Sequence, residues 1–306
     1  MGFQKFVRRK GAPVDHKKGG DMPFKNIRGV EIHYEVFGTD GPWVALSPGG
    51  RRSLDELVSI ATKLSRSGYR VLLHDRRNCG LSEVDISGDD AEYEIWADDL
   101  HVLLTELGAR AAWVGGSSSG GRVAIVLALR HPDMVSGLLL WRVTGGGAFS
   151  EWLAKQYYTQ YIPVAEAGGM QAICETEEFA ALIKARPANR QKLMALSAAQ
   201  FIEVMSNWSS YFLKSVHLPV VGATVEDLAG IHKPVLVVPG NDNSHPRVAG
   251  EKLATLLPQA SLRHLNIQDH DVALSPKSDW DACEDELLGF ISAQLAGEQD
   301  KVATAG

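Results

Sequence analysis

The sequence predicts an α/β fold: a mostly parallel, twisted sheet with helices on both faces and an inserted helical cap. Three observations carry that expectation. Short apolar runs alternate with segments of helical period, which implies right-handed crossovers and parallel strands. One of those runs, Ala111-Ala-Trp-Val-Gly-Gly-Ser-Ser-Ser-Gly-Gly121, passes straight into the helical pattern of Arg122–Arg130 with no linker. The alternation then breaks after Gly145-Gly-Gly147, becomes helical and aromatic to about Leu228, and resumes.

In order, Val30–Phe37 alternates and reads as a half-exposed edge strand, turned by Gly38-Thr-Asp-Gly-Pro42. Trp43–Ser47 is a buried strand ending at Pro48-Gly-Gly50. Leu54–Arg66 has helical period and stops at Gly68; Arg70–His74 is the next strand. Tyr93–Leu107 is a helix closed by Gly108, and Gly137–Arg142 is a strand after the serine-rich turn and its helix. Past the insertion come the strand Val235–Val238, a helix through Leu256, a strand from Ser261 to Leu265 and a last helix from Trp280 to Leu295. The domain expectation is an N-terminal extension over 1–22, a core of 23–147 and 229–297, a cap of 148–228 and a tail of 298–306.

Composition narrows the function classes. The 306 residues suffice for one large domain, and 45% hydrophobic with 22% charged residues is ordinary for a globular chain with a sizeable core. With 31 basic and 37 acidic residues the net charge is −6, which argues against a nucleic-acid partner. Cys79, Cys174 and Cys283 form neither a disulfide framework nor a metal-ligand spacing. No run is long enough to span a bilayer, and the basic start lacks the apolar stretch of a secretory signal. A cytoplasmic protein without membrane contact is the expectation, and a homodimer is compatible with it.

Gly116-Ser117-Ser118-Ser119-Gly120 fits G-x-S-x-G, the elbow that exposes a nucleophilic serine on a strained strand-to-helix turn. The flanking glycines allow the sharp bend, and the helix N-terminus aims free N–H groups at the charge developing on an attacked carbonyl. A flexible Gly-Ser linker would join polar flanks rather than a buried strand and an apolar helix. Nucleotide-binding readings fail: Gly121-Arg122 lacks the Lys-Ser/Thr of a P-loop, and the G-x-G-x-x-G order is absent.

On these residues, together with Ser47-Pro-Gly-Gly50, Asp75-Arg-Arg-Asn-Cys-Gly-Leu-Ser82 and Pro239-Gly-Asn-Asp-Asn-Ser-His-Pro246, residues 24–296 resemble the α/β-hydrolase superfamily, in its cap-containing serine-hydrolase, esterase-like branch. Asn78-Cys79 departs from the family's D-x-x-G-x-G-x-S turn, and Pro48 departs from its usual His-Gly-x. The resemblance implies Ser118 as nucleophile, followed in chain order by an acid and a histidine. Asp242, just past Val235–Val238, stands at the family's acid position; an ordinary Asx-turn is the alternative there. His270, in the loop after the last strand, is the implied base. His245 shares the acid's loop, His264 lies in a strand pattern and His74 precedes the elbow. The implied oxyanion donors are the N–H groups of Gly50 and Ser119.

Arg51, Arg52 and Arg142 are candidates to meet an anionic substrate, with structural ion pairs as the alternative. Tyr157, Tyr161, Trp208 and Tyr211 are candidates for an apolar pocket under the cap, although most cap aromatics are expected simply to pack it. The implied activity is cleavage of a carboxylic ester of a small to medium, partly apolar substrate with water, without metal or organic cofactor. A lactonase, a C–C bond hydrolase of meta-cleavage-type diketones and a ligand-binding receptor-like homologue are the other readings. Asp271 stands where the C–C hydrolases usually carry Trp.

Overall fold

The computed structural model describes residues 23–305; the expected extension over 1–22 lies outside the described residues. The chain opens with β1 (Phe24–Ile27) and β2 (Val30–Phe37), an antiparallel hairpin turned at Arg28-Gly29, both with positive φ. Then come β3 (Trp43–Ser47), a 3-10 turn at Leu54–Leu57 running into α1 (Val58–Arg66), β4 (Arg70–His74), α2 (Glu92–Glu106), β5 (Ala112–Ser117), α3 (Ser119–Arg130) and β6 (Val135–Trp141). Six helices follow: α4 (Ala148–Tyr157), α5 (Ile162–Glu175, kinked at Gly169), α6 (Glu177–Ala185), α7 (Asn189–Met194), α8 (Ala198–Lys214) and α9 (Val225–Ala229). The chain closes with β7 (Val235–Val238), α10 (Arg247–Leu256), β8 (Ala260–Leu262), α11 (Lys277–Ala282) and α12 (Glu284–Ala305).

Among the described residues the strands form one eight-stranded sheet in the order β1-β2-β4-β3-β5-β6-β7-β8. The β1–β2 and β2–β4 pairs are antiparallel and the rest are parallel. β3, β5 and β7 are buried at every residue, because helices cover both faces of the sheet. Alternate side chains serve different layers. Ala45, Leu72, Val114, Leu138 and Val237 join the core under α2 and α3, which continues into the insertion through Leu153, Tyr158, Phe201 and Trp208. Val44, Leu46, Leu73, Leu139 and Leu236 face α1 and α12.

Three sequence expectations need adjustment. The edge hairpin gains β1, whose four residues are too few to show a period. The last strand ends at Leu262 rather than Leu265. The final helix is two, broken at Cys283, and the second continues to Ala305 through the segment expected to be a tail.

Close packing at the serine turn explains its glycines. A Cβ on Gly116 or on Gly120 would meet the carbonyl oxygen of Ser47 well inside van der Waals contact. β3 and the start of α3 approach too closely for a side chain between them. Gly120→Ala is expected to lower stability by about 1–3 kcal/mol, the usual cost of overpacking a rigid site; an unchanged denaturant midpoint would contradict that packing.

Candidate active site

Ser118 is the hinge between β5 and α3, with φ 53° and ψ −110°, a backbone conformation that side-chain-bearing residues rarely occupy. It directly follows buried β5, so its hydroxyl emerges at the carboxyl edge of the sheet, where loops from parallel strands converge. Its Oγ lies 2.9 Å from His245 Nε2 and 3.3 Å from Thr144 Oγ1. His245 Nδ1 lies 2.8 Å from Asp242 Oδ1, which also accepts the His245 backbone N–H at 2.9 Å. A serine, a histidine and a carboxylate are therefore in line.

Acid and histidine both come from the loop after β7, three residues apart. Gly240 permits so tight a loop, since a Cβ there would strike His245. Asp242 Oδ2 accepts from the Ser275 N–H (2.8 Å), the Ser275 hydroxyl (2.9 Å) and Arg142 Nη2 (2.9 Å). Burial alone would raise the Asp242 carboxyl. The hydrogen bond and charge of His245, the Ser275 N–H and the Arg142 guanidinium outweigh it and hold the group far below the usual carboxylate range. For His245, burial dominates and lowers the imidazole below its ordinary value, opposed by Asp242. The ring is thus neutral at pH 7, able to accept a proton.

The expected base, His270, is not at Ser118. Its Nε2 lies 2.7 Å from Asp279 Oδ2 and its backbone N–H donates to the Asn241 carbonyl at 2.8 Å. The cause is the path of the chain after β8. Residues 270–275 lie along the outside of the β7 loop, joined to it by Asn243 N–H to Val272 O (2.9 Å) and Ser244 N–H to Ala273 O (3.2 Å). That segment therefore brings Ser275, and not His270, to the carboxylate. The one sequence signal for His245 was its spacing, Asp242-Asn-Ser-His245, in which a turn lets an aspartate bond the residue three ahead.

The other candidates divide. A small cavity of about 80 Å³, room for several water-sized groups, is lined by Ser118, Gly49, Gly50, Arg52, Arg142 and Tyr157 together with Trp152, Leu153, Leu274 and others. Trp152, Leu153, Thr144 and Leu274 had no distinguishing sequence signal. Arg51 does not line that cavity: it is paired bidentately with Glu92 (2.9 and 2.6 Å) among the rings of Trp96, Tyr157 and Tyr158. Arg52 is paired with Glu56 at 2.8 Å and remains partly exposed. Arg142 lies over Trp280 and is committed to Asp242. Trp208 is wholly buried in the helical insertion, Tyr161 packs edge-on against Phe179, and Tyr211 donates to the Asp89 carbonyl at 2.9 Å. Trp208 and Tyr161 thus pack against other rings of the insertion, Tyr161 also lining a second small cavity with Arg51 and Tyr157, while Tyr211 ties α8 to the loop before α2.

Near the elbow, the Gly49 N–H donates to Glu56 Oε2 at 3.2 Å, and Gly50, with φ +48°, offers its carbonyl to Arg76 Nη2 at 2.5 Å. Ser119 is the first residue of α3, where backbone N–H groups lack helical partners. Among the described residues no cluster of three or more His, Cys, Asp or Glu is arranged to hold a metal, and no helix is long and apolar enough to cross a membrane.

A mostly parallel sheet with a serine on the turn between its central strand and the following helix defines the α/β-hydrolase class. A family model described as the alpha/beta hydrolase fold matches residues 42–145, and the chain has that fold. It is similar to an uncharacterized hydrolase of Bacillus subtilis, 35% identical over 109 residues (36% of this chain, 40% of that one). It is also similar to an sn-1-specific diacylglycerol lipase of Mus musculus, 34% identical over 138 residues (44% of each). The matches thus span less than half the length of these two curated relatives. Among solved structures, the enol-lactonase of Burkholderia xenovorans superposes with a TM-score of 0.59 at 22% identity, covering 88% of this chain and 100% of the other.

Proposed function

We propose that the protein is a serine hydrolase of small carboxylic esters, acting through Ser118, His245 and Asp242. The observation that carries the reading is the unbroken relay of 2.9 Å from Ser118 Oγ to His245 Nε2 and 2.8 Å from His245 Nδ1 to Asp242. Ser118 Oγ attacks the carbonyl carbon while its proton passes to His245 Nε2. The tetrahedral intermediate collapses to an acyl-enzyme as His245 returns that proton to the leaving alkoxide. Water, deprotonated by His245, then releases the acid and restores Ser118. Asp242 fixes the imidazole tautomer and stabilises the transient imidazolium.

The oxyanion donors in this reading are the N–H groups of Gly50 and Ser119. The Gly49 N–H is held by Glu56, which leaves Gly50 as the donor on that loop. His270 has no role in it. Trp152, Leu153, Tyr157 and Leu274 make an apolar acyl site of modest size, which favours short acyl groups; a lactone of similar size fits the same chemistry. The relatives' names, a diacylglycerol lipase and an enol-lactonase, are compatible with either.

A chain-length series of p-nitrophenyl esters tests the reading. Turnover is expected to peak at acetate to butyrate and to fall about tenfold or more by octanoate, since each extra methylene meets filled space. A dialkyl aryl phosphate is expected to label Ser118 stoichiometrically, located by peptide mass. A folded protein that neither turns over any ester nor takes the label would refute the assignment.

A further inference from the structure

Buried charges in folded proteins are normally paired, because an isolated ion loses its hydration without return. Near the Ser118 cleft, Arg122 lies close enough to Arg76 for their charges to interact, Arg51 and Arg76 lie over the same Trp96 ring, and only Arg51 has a carboxylate, that of Glu92. Arg122 is 2% exposed and Arg76 1%. No protein atom accepts from Arg122 Nε or Nη1, nor from Arg76 Nε or Nη1. No carboxylate lies within ion-pair distance of either arginine among the described residues. Asp75, next in the chain to Arg76, directs its oxygens to the Leu54 and Leu81 N–H groups and to His33. Rings supply partial compensation only: Arg122 lies 4.9 Å from the Phe212 centroid and Arg76 4.5 Å from Trp96.

Position ties these cations to the reaction centre. Arg122 is one helical turn past Ser118, its N–H bonded to the Ser118 carbonyl at 3.1 Å. Arg76 holds the carbonyl of Gly50 at 2.5 Å. Tyr157, a wall of the Ser118 cavity, packs edge-on against Phe212, the ring that covers Arg122. The Tyr157 ring thus borders the cleft and also meets Arg51, while Phe212 meets both Tyr157 and Arg122.

We propose that Arg122 and Arg76 form a buried anion receptor, reached past Tyr157, whose occupant is a carboxylate. The Nε–H and Nη1–H donors left without acceptors on the two guanidinium groups suit the charge and the two oxygens of a carboxylate. The carboxylate has two possible sources, the substrate's own acid group or a free small acid. The receptor itself stands on the unpaired arginines; its service to catalysis rests on the serine-hydrolase reading above. If both hold, the preferred substrate is the half-ester of a dicarboxylic acid.

The test uses the full chain and separates these points. Sodium acetate, added at constant ionic strength with HEPES as the exchanged anion, is expected to raise the Tm of wild type and of Ser118→Ala by about 3 °C at tenfold excess over Kd. The rise is expected to vanish in Arg122→Met and to persist in part in Arg122→Lys. In parallel, the ratio of kcat/KM for mono-p-nitrophenyl adipate to that for p-nitrophenyl hexanoate, matched in length, is expected to fall at least tenfold in Arg122→Met. A thermal response lost in Arg122→Met with an unchanged ester ratio would keep the receptor and assign it to a free acid. No acetate response in wild type, or an equal response in Arg122→Met, would overturn the proposal. Should Arg122→Met not fold, an equal response in wild type and Arg76→Gln would overturn it. The thermal readout requires no turnover, so failure to hydrolyse any ester refutes the hydrolase reading alone.

Discussion

His245→Ala is expected to lower kcat/KM for a short-chain aryl ester by about 10⁴-fold or more, matching Ser118→Ala, and the double variant is expected to be no worse than either. Nucleophile and base act as one unit, since a serine hydroxyl attacks a carbonyl only when its proton has somewhere to go. His270→Ala is expected to change the same quantity by less than about threefold. It removes a partly exposed pair with Asp279, of a kind worth about 1 kcal/mol or less. The comparison is decisive because the two histidines sit on adjoining loops at one end of the sheet. A large loss in His270→Ala with activity retained in His245→Ala would reverse the assignment.

Asp242→Asn is expected to cost about 10³–10⁴-fold at neutral pH. The asparagine amide can present an N–H to His245 Nδ1, which favours the tautomer with its proton on Nε2, facing Ser118. The substitution also leaves Arg142 buried without its counter-charge, so a stability loss accompanies the kinetic one. A pH profile separates the two. Burial lowers the His245 imidazole and Asp242 opposes that shift. The acid limb of wild-type kcat/KM therefore lies below pH 6.5, the ordinary value for the ring. Protonation of His245 disables the base, so activity is lost as pH falls through that limb. Without the carboxylate the limb moves lower still, and the deficit persists across the neutral plateau. An acid limb above pH 7 in wild type would contradict the environment described for His245.

The fold was legible because its signals are local and repeated. The central parallel strands are buried on both faces and read as apolar runs, and the covering helices carry their own period, with glycine stops after α1 and α2. The four-residue β1 and the break at Cys283 were not legible, since a strand that short shows no period and a one-residue break leaves the helical pattern intact. Ser118 was legible for a related reason: a sharp strand-to-helix turn requires glycine at fixed offsets, and those offsets are written in five consecutive residues.

Partnerships between distant segments were not. His245 and His270 both lie in polar loops, and the choice between them depends on the path of residues 263–276, set by backbone bonds to the loop after β7. Among the arginines, the adjacent pair Arg51-Arg52 stands out in one dimension. Glu92 occupies Arg51 from 41 residues away, while Arg122, inside an apolar helix, is left without an acid. The amino-acid order alone determined the sheet, the position of the inserted helices and the serine on its turn, because those depend on period and local backbone geometry. Only the tertiary structure decided which histidine meets the serine and which cations remain unpaired, because burial and proximity are properties of chain segments brought together by folding.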